Sequence, residues 1–142
     1  MDKMVQDVQQ WLNDTWPKKF KYDETGVTSG EFPVKPDGMT GNTTVKALVM
    51  ALQLHFNLGA DGIWGGATDS ACPVISINTS DEILLRIVQG GFICKGYNAG
   101  GFDGVFGPAL QSAINQYKTD LGIPENNKME PDVFKSLLTT DP

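Results

Sequence analysis

Apolar residues recur every three or four positions in several stretches of the chain, and each such stretch predicts a helix with one buried face. Val5, Val8 and Leu12 mark the first, and the same pattern returns at Leu85, Val88 and Phe92, with Gln9 and Gln89 at matching places. Longer helices are expected over 43–58 and 108–121, and short ones over 67–72 and 132–138. Pro108 suits a first turn, where its missing N–H has no bond to lose, and Gly122 suits the position just past a helix end. Thr79 or Ser80 is expected to cap the helix that follows.

Between the helices one tetrad returns, Asp-Gly-x-x, closed in its clear copies by a fifth residue, Gly. Asp-Gly-x-x-Gly stands at Asp37-Gly38-Met39-Thr40-Gly41, at Asp61-Gly62-Ile63-Trp64-Gly65 and at Asp103-Gly104-Val105-Phe106-Gly107, with a worn copy at Asn127-Lys128-Met129-Glu130-Pro131. The step from Asp37 to Asp61 equals the step from Asp103 to Asn127, so the chain reads as a duplication. Asp37 stands twice as far from Gln9 as Asp103 does from Gln89, which places an insertion within 17–36. The alternation at Phe20-Lys21-Tyr22 and Phe32-Pro33-Val34 reads as an exposed loop or a short hairpin. The expected architecture is all-α: two tandem three-helix units, 1–75 and 76–142, the first carrying the insertion.

In each tetrad the Asp carboxylate can accept backbone N–H bonds from the residues after it, while Gly takes a positive φ. An apolar residue two places after the Asp, Ile63 or Val105, is expected to plug the core. Asp37, Asp61 and Asp103 are thus read as structural. A calcium loop needs several oxygen ligands in one loop, and one carboxylate per loop does not make that cage.

Composition narrows the function. The 142 residues are 40% apolar and 20% charged, which is globular, and the formal charge of −6 argues against a surface that tracks nucleic-acid phosphates. Lys18, Lys19 and Lys21 are the only basic bunching and read as a solvated loop. No apolar run approaches the length of a membrane helix, and Met1-Asp2-Lys3-Met4 does not read as a signal peptide. Cys72 and Cys94 are the only cysteines; they read either as buried thiols or as one disulfide.

No catalytic constellation stands out. His55 is the only histidine, set among Leu52, Leu54, Phe56 and Leu58, and reads as a half-buried packing residue. Zinc chemistry needs at least three protein ligands, and no pattern of that kind is present. Neither a cysteine nucleophile with its base nor a glycosidase carboxylate pair has a recognisable setting. No cofactor, no metal and no enzymatic activity are expected.

The residues Leu85, Val88-Gln89, Gly96-Tyr97, Asp103-Gly104-Val105-Phe106-Gly107-Pro108, Ala113, Tyr117, Gly122-Ile123 and Phe134 to Leu137 together resemble the peptidoglycan-binding domain 1 family. The resemblance runs through most of the second unit, from Leu85 to Leu137. The first unit resembles the family less evenly, because its insertion displaces the Gly-Tyr region and its first loop lacks the aromatic residue. What the resemblance implies is a monomeric, non-catalytic three-helix module. Such a module holds a covalently linked cell-wall hydrolase or endolysin on peptidoglycan, outside a Gram-positive cell or released by lysis. The alternative is a structural or protein-interaction domain that does not touch glycan. A polymer of sugars and peptides would be met by exposed aromatic faces and amides. In the second unit these are Tyr97, Asn98, Phe102, Phe106, Gln111 and Asn115, and in the first Trp64 and Thr43. For Phe106, Trp64 and Tyr97 the competing duty is core packing.

Overall fold

The computed structural model describes residues 3–16, 42–58 and 62–139. The insertion expected within 17–36, the first tetrad at 37–41 and Asp61 lie outside the described residues. Within them the regular structure is helical: α1 (Lys3–Thr15), α2 (Asn42–His55), α3 (Gly66–Ala71), α4 (Glu82–Lys95), α5 (Pro108–Asp120) and α6 (Pro131–Thr139). The expected helices are all present, with their ends slightly shifted.

The apolar stripes explain the packing. On α1, Val5, Val8, Gln9 and Leu12 form the buried face. α4 differs, since every residue from Ile87 to Cys94 is buried. A helix apolar on all sides belongs at the centre, and α4 packs there against α1, α2 and α6. α2 in turn packs on α1, α4 and α6. One contiguous core therefore runs through both halves of the chain, from Val5 to Leu138.

Close approach needs small residues. A Cβ on Gly91 would lie 2.9 Å from Cδ2 of both Leu137 and Leu138, so α6 rests directly on the α4 backbone. Gly91→Val is expected to cost about 1–3 kcal/mol by overpacking, measurable by urea unfolding; an unchanged midpoint would mean that α6 can slide away at no cost.

Two further links join the halves. Ile75 and Met129 form an isolated antiparallel bridge, each N–H donating to the other's carbonyl at 2.9 Å. At the end of α2, His55 Nε2 pairs with Asp81 Oδ2 at 2.6 Å. Asp81 also caps α4, its Oδ1 accepting from Leu84 N–H at 3.1 Å. The cap is thus Asp81, not Thr79 or Ser80; Thr79 instead accepts from Ser76 N–H. Burial pushes the Asp81 carboxyl up, but the hydrogen bonds from His55, Leu84 and Ile83 outweigh it and hold the group below the usual carboxylate range. Cys72 and Cys94 are both buried as thiols rather than joined in a disulfide. Burial and the nearby Asp69 charge push the Cys72 thiol up to about 12.

Candidate functional site

The loops that position the surface are held from below by α2, α4 and α5. Gln89 on α4 donates from Nε2 to Asp103 Oδ1 at 2.8 Å and to Val105 O at 3.1 Å, and its Oε1 accepts from Gly104 N–H at 2.8 Å. Gln53 on α2 does the same for the preceding tetrad, donating to Ile63 O and accepting from Gly62 N–H. Gln53 also donates to Thr68 Oγ1, and Gln9 donates to Thr44 Oγ1, the hydroxyl at the matching place on α2. Asp103 accepts from Val105 N–H as expected, and the Gln89 amide with that N–H holds its carboxyl below the usual range. Gly104 has φ of +72°, and a Cβ there would lie 2.4 Å from Glu82 Cγ, so a side chain would be both strained and blocked.

The fourth tetrad begins one position earlier than its sequence suggests. Asn126 fills the Asp position, its Oδ1 accepting from Lys128 N–H, and Asn127 takes the glycine's place with φ of +62°. Pro131 then opens α6 as Pro108 opens α5. The brace is now Lys118, 1% exposed, whose Nζ donates to Asn126 Oδ1 and Glu130 Oε1, each at 2.5 Å.

The plugs also lie one position later than expected. Ile63 and Val105 stand 64% and 59% exposed. Trp64, Phe106 and Met129, the next residues in their loops, turn inward to the core. The positive φ at the second loop residue reverses the chain, which sends the third side chain outward and the fourth in.

Beside the third tetrad lies a surface groove. α4 ends at Gly96, and the chain leaves it through Tyr97 and Asn98. Asn98 Oδ1 accepts from Gly100 N–H at 2.9 Å, and a Cβ on Gly100 would lie 2.7 Å from Ala109 Cβ, so this turn closes tightly on the start of α5. Tyr97 and Asn98 form one wall; Ala109, Ser112, Ala113 and Gln116 form the other, around a space of about 390 Å³. A smaller depression of about 210 Å³ lies on the far side of the Tyr97–Asn98 ridge, between Met4, Ile93 and Gly96. Asp120 ties the walls together: Tyr97 Oη donates to its Oδ2 and Gln116 Nε2 to its Oδ1. Burial and the Asp120 carboxylate push the Tyr97 phenol up to about 12, so it stays a neutral donor at ordinary pH. The lining groups are hydroxyls, amides and methyls. They suit hydrogen bonding and packing of a neutral ligand.

Of the eight residues singled out in the sequence, Tyr97 and Asn98 meet in this groove. Phe102 and Trp11 form a T-shaped pair with ring centres 5.4 Å apart, and the Arg86 guanidinium lies 5.0 Å from the Phe102 ring centre. Phe106 is partly buried against the core. Gln111 is half-buried on α5, outside the groove lining. Asn115 braces the fourth tetrad, donating to Asn127 Oδ1 and accepting from Asn127 N–H. Trp64 is only 6% exposed, tilted against Phe134 with its Nε1 donating to Asp69. Thr43 lies in α2, and its side chain falls outside the described set. Ala109, Ser112 and Gln116 do not stand out in the sequence. Their spacing of 3 and 4 along α5, with Ala113, marks one face of small and polar residues and is the signal that could have found them.

Among the described residues no group of three or more His, Cys, Asp and Glu is placed to hold a metal ion, and no helix is long and apolar enough to cross a membrane.

The sequence is 32% identical over 147 aligned residues to the uncharacterized protein FadG of Bacillus subtilis (strain 168), an alignment covering 99% of this chain and 24% of that protein. It is 33% identical over 128 residues to the uncharacterized protein YbfG of the same organism, covering 87% of this chain and 16% of that protein. The chain therefore spans less than a quarter of the length of these relatives. No family model matches it, and no solved structure does.

Proposed function

We propose that this chain binds bacterial cell-wall peptidoglycan without cutting it, and so keeps an attached lytic enzyme at its substrate outside the cell. The observation that carries this reading is the groove between the Gly96-Tyr97 turn and α5. Tyr97 on one wall and Ala113 on the other belong to the set of spaced residues whose sequence resembles the peptidoglycan-binding domain 1 family. In this reading the two halves, 1–75 and 76–142, are tandem three-helix units, and the protein acts as a monomer. The second unit carries the described groove. That the chain aligns within proteins several times its length fits a targeting region joined to other domains. The linked catalytic domain would then supply the chemistry.

A second reading is an interaction domain that docks protein rather than glycan, and the exposed apolar tips Ile63 and Val105 favour it. Co-sedimentation separates the two. The chain is expected to pellet with insoluble peptidoglycan at low and moderate salt, and to leave the turbidity of purified walls unchanged. If it stays in the supernatant, the protein-docking reading takes its place. Clearing of the walls by this chain alone would make it an enzyme.

A further inference from the structure

The hydrogen bonds already made inside the groove fix which groups remain for a ligand. Asn98 Oδ1 is held by Gly100 N–H, which turns the amide so that its Nδ2 is the donor on one wall. Gln116 Nε2 is held by the Asp120 carboxylate, which can only accept, so Oε1 is the acceptor left on the other wall. Ser112 adds an exposed hydroxyl, and Ala109 and Ala113 supply methyl groups between these polar groups. Asp120 is already engaged by Tyr97 and Gln116, and among the described residues no charged side chain lines the groove.

The geometry points to a site for a methyl-bearing secondary amide, a neutral CO–NH group whose oxygen accepts from Asn98 Nδ2, whose N–H donates to Gln116 Oε1, and whose methyl rests on Ala109 and Ala113. One donor on one wall and one acceptor on the other are the complement of one amide, and two alanine methyls leave room for a methyl but give no partner to a charge. This names the recognised group within the wall-binding reading and rests on it. Peptidoglycan offers that group twice, as the acetamide of its sugars and as the alanyl amides of its stem peptides. A free amine in its place would lose the acceptor and bring a charge against apolar carbon.

The test is a nuclear magnetic resonance titration of the nitrogen-15-labelled chain with three probes: di-N-acetylchitobiose, its fully deacetylated counterpart, and D-alanyl-D-alanyl-D-alanine, whose amides carry no acetyl group. Shifts of the Asn98 and Gln116 side-chain amides with the first, the third or both, and none with the deacetylated sugar, are the expected result, and the responding probe identifies the source. Asn98→Asp keeps the acceptor for Gly100 N–H but has no donor, and Gln116→Leu keeps the stem but has no acceptor. Each should weaken binding by at least about tenfold with an unchanged melting temperature. Equal response to the deacetylated sugar overturns the inference, as does full affinity in both variants or no response to any probe. If the chain still pellets with peptidoglycan in those cases, wall binding stands and the recognised group lies elsewhere.

Discussion

Gln89→Leu is expected to lower the unfolding free energy by about 2–4 kcal/mol, read as a lower urea midpoint at unchanged slope. Gln89 is 1% exposed and satisfies three groups of the third tetrad at once. Leucine fills the space but offers no donor and no acceptor. Asp103 and Val105 are exposed and can turn to water, whereas the buried Gly104 N–H cannot, so the cost centres on that amide. Because the tetrad leads straight into α5, the loss should also loosen the groove wall that α5 carries. Gln53→Leu removes the matching brace and should behave alike. A change below about 0.5 kcal/mol, the size of an ordinary surface substitution, would show that the loops stand without their glutamines.

The second large effect concerns the fourth tetrad, where the brace is charged. Glu130 is held down at about 2, first by the Lys118 ammonium and then by the Asn126 amide, against some desolvation. Its folded value lies below the ordinary 4.5, so the contribution is complete above about pH 4.5 and is lost as pH falls toward 2. Lys118→Met removes the donor shared by Asn126 and Glu130. Losing one partner of a fully buried pair costs about 3–5 kcal/mol. Glu130 is 36% exposed and keeps water, so about 2 kcal/mol is expected at pH 7. The difference between Lys118→Met and the unmodified chain should shrink as pH falls below that ordinary carboxylate value, and Glu130→Gln should flatten the acid limb of the unmodified chain's stability curve. A pH-independent gap between the two proteins would mean that Lys118 serves mainly as packing.

The helices and the tetrads are legible in the sequence because both are written in local spacing. Val5, Val8 and Leu12 face inward as their period demands, Pro108 opens α5, and Gly122 follows the end of that helix with φ of +77°. What local spacing does not carry is the partner. Nothing in the pattern of 43–58 says that α2 will lie on α4 and α6, since an apolar stripe reports burial and not the surface that buries it. The register of the fourth tetrad is hidden because Asn126 and Asn127 are the same residue type, and only the backbone shows that Asn127 takes the positive φ. Trp64 and Phe106 carry two readings in the sequence, core packing and ligand stacking, and the turn that decides for the core lies in the backbone of the residue two places before. In the groove, Tyr97 and Asn98 are visible through the Gly-Tyr pattern. Ser112 and Gln116 are not, because an exposed polar helix face has no periodic contrast until its neighbour across the gap is known.

The shared core also sets an order of events during synthesis. As the chain leaves the ribosome, α2 emerges with Ala47, Leu48 and Ala51 prepared for surfaces that do not yet exist, because α4 and α6 are still to be made. Until α4 and then α6 emerge, α2 has α1 beside it but lacks both of these partners. Truncation before α6 would therefore leave a sticky intermediate of the kind that aggregates or recruits chaperones, and α6 completes a core that α1 and α2 begin.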